Sequence, residues 1–434
     1  MPEVWNRVKE WGGIFGKTLM FPLLFVLFFF PQGIVAGSDA GDLFIVYLKI
    51  AAFFVLAFYY LSLIVRKQLF NYVIGVYGVL YFILFCSGMI NNEIYEVMVF
   101  FARHALPTMG LMLFMETGIY HDPRRLIEAG AGTLSFLCIL NAVLMLFYPE
   151  GVSRIAVWGR VNLLESDNSM TCYYFAAFCF VGLRRILYRT KYSWTDMLFF
   201  LSYIFAEVFV FCGIGILSFL LFCCLQGYLF CQRKSLSNFG SHGKSPFWML
   251  YILTLAGQLW IMLGSFWAPV LMTLAEQIFK KGESFRVRWM IWQGAMEQIM
   301  ESPLLGKGPA SVALLYKEIE WYAHNGFLDV LLKAGLVGLV FCLLSHYLVI
   351  TKLKKAENRM MAVFVYGCIF VLFMIAFLEG PFLQGRYVFV FVLAYRASQI
   401  TDGPMRSDSA WTDPLTKKLT ARLLRKKGEE FHSL

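Results

Sequence analysis

Residues 284–312 read SFRVRWMIWQGAMEQIMESPLLGKGPASV, and after a short spacer residues 318–339 read EIEWYAHNGFLDVLLKAGLVGL. At 100° per residue, Phe285, Trp289, Trp292, Met296, Ile299 and Met300 gather on one side of a helix, with Gln293, Glu297 and Glu301 opposite. Ser302-Pro303 ends that helix, and Gly306 and Gly308 supply a turn. A helix with aromatics along one side and charges along the other is expected to lie in a membrane interface. Arg288 falls at the border of its apolar side while Arg286 points away, so Arg288 is the cation placed to reach a lipid headgroup or a lipid-linked phosphate. His324-Asn325 stands immediately before a long apolar run, at the mouth of a membrane helix.

Working outward, the chain has 434 residues, 59% of them hydrophobic and 15% charged, which excludes an ordinary soluble domain. A spanning helix needs roughly 20 apolar residues, and the chain offers about twelve such runs. The expected fold is therefore an all-α polytopic membrane protein of about twelve transmembrane helices, with a large helical loop between spans nine and ten. Residues 1–268 hold nine spans and an external loop at 148–169. Residues 269–326 form the extracytoplasmic loop with its interfacial helix, 327–400 the last three spans, and 401–434 a basic cytoplasmic tail. The stretch from Trp194 to Phe230 is too long for one helix and reads as a hairpin broken near Gly213 and Gly215. Span eleven ends outside at Glu379-Gly380-Pro381, and span twelve runs from Tyr387 to Ala397.

The net charge of +10 does not imply nucleic acid. Lys and Arg fall mainly in short loops on alternate sides of the runs, the positive-inside pattern, which puts both termini in the cytoplasm and the two motif-bearing loops outside. The protein is thus expected to be a multi-pass membrane protein, with the first run, beyond Arg7, Lys9 and Lys17, retained as an anchor. The 10 cysteines lie almost entirely within apolar runs, without metal-ligand spacing, as small packing residues.

Several residues carry two readings. Asn325 is a candidate contact to a sugar and equally a cap on the following helix. Arg288 can ligate a phosphate or anchor to ordinary phospholipid. Arg103, with His104, lies deep in span four; it either lines a substrate cavity or pairs with Glu96, seven residues earlier on the same side. Trp321 and Tyr322 can stack on a sugar ring. His121, His242, His346 and His432 sit at or beyond cytoplasmic ends and carry no chemistry. The outer loops offer no clustered Asp pair, so neither metal nor cofactor is expected.

Arg288, Trp292, Pro303-Leu304-Leu305-Gly306, Gly308, His324-Asn325 and Gly335-Leu336-Val337-Gly338 together resemble the signature of the O-antigen ligase and polysaccharide polymerase superfamily. Arg160 followed by Asp167-Asn168 is a looser match, similar to an arginine and asparagine stretch ahead of a membrane helix. The resemblance implies a GT-C-like membrane glycosyltransferase acting on an undecaprenyl-diphosphate-linked oligosaccharide, breaking the bond from anomeric carbon to phosphate. Members commonly carry a Ser-Arg pair where this chain reads FVFCGIGILSFLL (209–221), and the arginine is missing here. Arg386 is a candidate substitute. On this resemblance His324 is the expected base, Arg288 the leading diphosphate ligand, Arg160 and Arg386 further ligands, and Asn168 an acceptor contact. Transfer would be metal-independent and, as a single displacement, inverting. A polysaccharide polymerase, with a chain-length regulator as a further partner, is the first expectation. An O-antigen-type ligase is the alternative, and a lipid-linked oligosaccharide flippase is the alternative of another class.

Overall fold

The computed structural model describes residues 19–67, 69–155, 159–188, 190, 192–231, 249, 251–257, 273, 276–277, 282–309, 314–316, 319–321, 323–354, 356 and 358–400. The N-terminal charges, most of the expected ninth span, Tyr322, His242, His432 and the basic tail lie outside them.

The chain is a multi-pass helical membrane protein. Its helices are α1 (Leu19–Phe28), α2 (Asp39–Lys67), α3 (Tyr72–Asn91), α4 (Ile94–Phe100), α5 (Leu106–His121), α6 (Pro123–Phe147), α7 (Thr171–Tyr188), α8 (Trp194–Phe209), α9 (Gly213–Cys231), α10 (Gly282–Glu301), α11 (Gly326–Lys354), α12 (Arg359–Ile375) and α13 (Gly385–Tyr395). Among the described residues five helical stretches are long and apolar enough to cross a membrane: α2, α3, α4 through α5, α6 and α11. Two antiparallel hairpins that the sequence did not announce decorate the loops: β1 (Ser153–Ile155) with β2 (Gly159–Val161), and β3 (Leu314–Tyr316) with β4 (Ile319–Trp321).

Short polar side chains start the helices where the chain turns. Asn71 accepts from the Val73 N–H, Asp122 from Arg125, and Asn358 from Met361, while Ser193 and Asp196 form a reciprocal capping box. The hairpin expected near Gly213 is present: α8 ends at Phe209 and α9 begins at Gly213. α2 is peripheral, with Phe44, Tyr47, Val55, Phe58 and Val65 exposed as lipid-facing residues are. α7, α12 and α13 form the centre, where Phe25, Phe175, Phe178, Phe180, Phe222 and Phe389 pack ring against ring.

Two departures from regular spans shape the interior. α11 is broken at Gly335 (φ 65°, ψ −167°), a conformation reserved for glycine. The Pro303–Gly308 turn fills the break. Lys307 and Gly308 N–H donate to the carbonyls of Leu332 and Lys333 (2.8 and 3.0 Å), and Leu336 and Val337 N–H donate to those of Pro303 and Leu304 (2.8 and 3.2 Å). Gly306 must be glycine twice over: its φ is 72°, and an added Cβ would stand 2.6 Å from the Gly335 nitrogen. Its carbonyl accepts from Ser87 and Ser302 hydroxyls and the Asn91 amide, which ties the turn to the end of α3.

The second departure corrects the expected end of the chain. Glu379, Gly380 and Pro381 do not form an external turn; residues 379–383 are buried. The irregular segment 376–384 descends between helices, the Tyr81 hydroxyl, midway along α3, donating to the Leu383 carbonyl (3.0 Å). α13 begins where Gly385 packs on Thr108, midway along the stretch from α4 to α5. Its 11 residues rise about 16 Å, roughly half a membrane. Non-helical backbone at such depth is tolerated only inside protein or along a cavity.

At its far end α13 is locked by Arg396, whose Nε donates to both Glu116 carboxylate oxygens (2.8 and 3.1 Å) while Asn71 donates to the same carboxylate (2.7 Å). Both ions are buried, at 3% and 0% exposure, so neither has solvent to fall back on. His346 also differs from expectation. It is not at a helix end but buried in α11 among Phe327, Phe373, Phe382 and Phe391, with the Tyr251 hydroxyl 3.2 Å from Nδ1.

Two stability predictions follow from these contacts. Gly335→Ala combines about 1–3 kcal/mol of backbone strain with a Cβ 2.2 Å from the Leu304 carbonyl oxygen; folded yield and Tm in detergent should both fall, and an unchanged Tm would show that the break is dispensable. Arg396→Ala should cost about 3–5 kcal/mol by stranding Glu116, whereas Arg396→Met with Glu116→Leu should recover most of the loss in the same thermal melt.

Candidate functional site at the broken helix

α10 delivers the site's first wall. Its buried stripe is Ile291, Trp292, Ala295 and Ile299, with Trp289 and Met296 partly covered. Met300 is 73% exposed, so the stripe is rotated from the side read off the helical wheel. Nor does this stripe wait for lipid: it packs on Ala323, Leu328 and Leu332 at the start of α11, a cluster separate from the main core. Trp292 Nε1–H donates to the Ala323 carbonyl (2.9 Å), fixing the backbone one residue before His324. Arg288, half-buried, sits one helical turn before Trp292, while Arg286 is exposed.

His324 occupies the left-handed region (φ 47°), unusual for a side-chain-bearing residue and accepted more readily by histidine than by most. It is 6% exposed, and its Nδ1 lies 3.8 Å from Glu379 Oε2 on the descending segment. Asn325 is fully buried and serves the backbone: its Oδ1 accepts from Leu328 N–H (3.0 Å) and its amide approaches the Phe377 carbonyl (3.4 Å). The capping role therefore holds, and it anchors the helix that carries His324. One turn further, Asp329 pairs with Lys333 (2.9 Å) beneath Gly380. Trp321 lies in β4, two residues before Ala323.

Below this lies a cluster of charged side chains. The segment Phe101–Ala105 is a π turn between α4 and α5, a distortion common at functional sites. It presents Arg103 and His104. Arg103 pairs with Asp42 on α2 (2.8 Å), not with the expected Glu96, because Asp42 comes from the helix packed alongside, whereas Glu96 is two turns away along the same helix. His104 is exposed, and Lys333, Arg103, Arg386 and Lys49 all act on it electrostatically. Arg386, at the start of α13, pairs with Glu165 and lies over the Tyr173 ring, 4.8 Å from its centroid. Arg160 makes a two-point ion pair with Asp167 (both contacts 3.0 Å) and donates to the Pro149 carbonyl; Asn168 beside it is exposed.

The structure thus brings His324, Asn325 and Glu379 to one end of the first half of α11, with Arg288 one turn from the Trp292 that holds Ala323, and Arg103, His104 and Arg386 into a charged cluster that Lys333 joins. Arg160 and Asn168 belong to the neighbouring 159–170 loop, which reaches the cluster through Glu165. Chemically, a histidine beside a carboxylate can take a proton from a hydroxyl, and clustered cations can hold an anionic leaving group. Sequence reasoning missed Glu379, Asp42, Glu165, Lys333 and Lys49. Lys49 alone carried a signal, as a charge inside an apolar run.

A family described as O-antigen ligase matches residues 175–343, less than half of the chain, from within α7 through the break in α11. A Rickettsia conorii protein provisionally named a polysaccharide ligase is 27% identical over 109 residues, 22% of this chain and 26% of that one. The chain thus spans about a quarter of the length of the curated relative it matches. No solved structure matches. These likenesses support the O-antigen ligase and polymerase superfamily, and the matched segment contains Arg288, His324, Asn325, Lys333 and Gly335 while leaving Lys49, Arg103, Arg160 and Arg386 outside it.

Trp292→Phe keeps an aromatic ring but removes the donor to Ala323 together with part of the buried indole volume. It should cost about 1 kcal/mol and raise backbone hydrogen exchange at 323–326; unchanged exchange there would show that α10 does not hold the His324 turn.

Proposed function

We propose, with the likeness to the O-antigen ligases as premise, that this protein transfers a glycan from a polyprenyl diphosphate carrier to an acceptor hydroxyl outside the cytoplasm. The observation that carries the reading is His324: buried, held in a left-handed turn between Trp292 and Asn325, and facing Glu379. A carboxylate on the Nδ1 side favours the tautomer with its proton there, leaving Nε2 to accept one.

In the reaction the acceptor oxygen loses its proton to His324 Nε2 and bonds to the anomeric carbon. The bond from that carbon to the phosphate oxygen breaks, and its electron pair leaves on the diphosphate. Arg288 and Arg386 offset the charge that develops there, arginine being permanently cationic and able to grip phosphate at two points. As one displacement this inverts the anomeric centre. Arg160, held by Asp167, and Asn168, both on the adjoining loop, are assigned in this reading to the acceptor side.

The ligase form takes precedence over the polymerase expected first, since the matching family and the Rickettsia relative are both named for ligation. Donor chemistry is common to both; they part at the acceptor. In reconstituted membranes supplied with an undecaprenyl-diphosphate-linked glycan, wild type should transfer it to a non-diphosphate acceptor. His324→Ala should lower kcat by about 10²–10⁴-fold, and Glu379→Gln should lower kcat with little change in KM. A ladder of lengthening lipid-linked products would restore the polymerase, and His324→Ala working at the wild-type rate would remove His324 from the chemistry.

A further inference from the structure

Lys49 lies in α2, seven residues inward of Asp42 and 8% exposed. Gly110 of α5 packs on Phe53, where an added Cβ would stand 3.3 Å from the Phe53 Cβ. That contact sets Lys49, one turn before Phe53, level with the start of α5 and beside the π turn. The other cations of the cluster have carboxylates within ion-pair distance: Arg103 has Asp42, Arg386 has Glu165, and Lys333 has Asp329. Lys49 has no hydrogen-bond or ion-pair partner among the described residues. Its charged surroundings are Arg386, of like sign, and Glu165 and Asp42, both already engaged. A buried lysine so placed is costly to keep protonated without an anion, and an ionisable group inside a membrane helix marks a functional position by default.

A second feature converges on the same place. α13 starts at mid-depth beside Thr108, one turn from His104, and its first amides have no side-chain cap. The N–H groups of Gly385 and Arg386 meet no acceptor among the described residues. The positive end of a half-length helix therefore lies in the same cluster as an unpartnered lysine, the arrangement that draws an anion.

We propose that Lys49, the amide end of α13 and Arg386 form a buried site for the phosphates of a polyprenyl diphosphate. Glu165 holds Arg386 until that anion arrives and displaces it. The site rests on the glycan-transfer reading for the identity of its ligand. It also supplies the cations that the missing arginine of 209–221 would otherwise provide, from two helices outside the matched segment.

The test uses the full chain in nanodiscs, with undecaprenyl diphosphate as probe and phosphatidylglycerol and inorganic pyrophosphate as competitors. Lys49→Met should weaken undecaprenyl diphosphate binding about tenfold or more, Lys49→Arg should keep affinity within a few-fold, and the ligand-free Tm of Lys49→Met should hold or rise, because a buried charge has been removed. A lysine with only a structural role gives the opposite sign, a lower Tm with unchanged affinity, and that result overturns the proposal. Competition by phosphatidylglycerol as strong as by undecaprenyl diphosphate overturns it too, making this a site for bulk lipid headgroups; competition by pyrophosphate alone supports a diphosphate site. If wild type transfers glycan while Lys49→Met binds the probe normally, the Lys49 site falls and glycan transfer stands. If binding depends on Lys49 but no glycan moves, the site stands and the transfer reading falls.

Discussion

The backbone exchange at Gly335 governs the rest of the site. A helix in lipid satisfies its amides internally, so interrupting one requires outside partners for each group set free. Here the partners are other main-chain atoms, two N–H groups and two carbonyls of the Pro303–Gly308 turn. Because both sides of the exchange are backbone, the geometry admits almost no side chain: a Cβ on Gly306 would meet the backbone at 333–335, and one on Gly335 the backbone at 304–305. The same turn closes α10, so the break also fixes where Trp292 meets Ala323. His324 is therefore positioned by a chain of contacts whose first link is a missing side chain.

Charge is sorted by depth and access. Arg396 and Glu116 are sealed, fully satisfied and remote from His324; they clasp α13 to α5 and Asn71 and have no route to exchange. At the other end Arg103 with Asp42 and Arg386 with Glu165 keep side-chain exposures of 20–44%. A sealed pair resists any competitor because breaking it strands a charge, whereas an accessible pair can trade its carboxylate for a stronger anion. The two kinds of ion pair divide the protein into a fixed end and a chemical end.

Much of this was legible before the fold was known, and the limits are physical. Helix starts could be read because Asn, Asp and Ser caps act locally, and the glycine turn because Pro303, Gly306 and Gly308 are local punctuation. The hairpin near Gly213 followed from length alone. What escaped was set by partners distant in sequence. Met300 lies on the wheel with the apolar residues, yet α11 covers the side centred on Ala295. Arg103 chose Asp42, over sixty residues away, once a π turn redirected it. Glu379-Gly380-Pro381 looks like any polar turn, and only the buried course of 376–384 turns Glu379 toward His324.

The two irregular helices also divide the labour of the proposed transfer. The half-helix α13 and Lys49 lie at a depth where an isolated diphosphate would be strongly disfavoured, so the compensating charges must be supplied by protein, and they are built into helices. The acceptor side of the proposed transfer is assigned to the 159–170 loop, where Arg160 is held by Asp167 and Asn168 is exposed. Loops of this kind change without disturbing a helical core. On the proposed reading, ligation and polymerisation share a donor and differ in acceptor, so the change from one to the other is sought in the loops, while the bond that breaks is governed by the helices beneath.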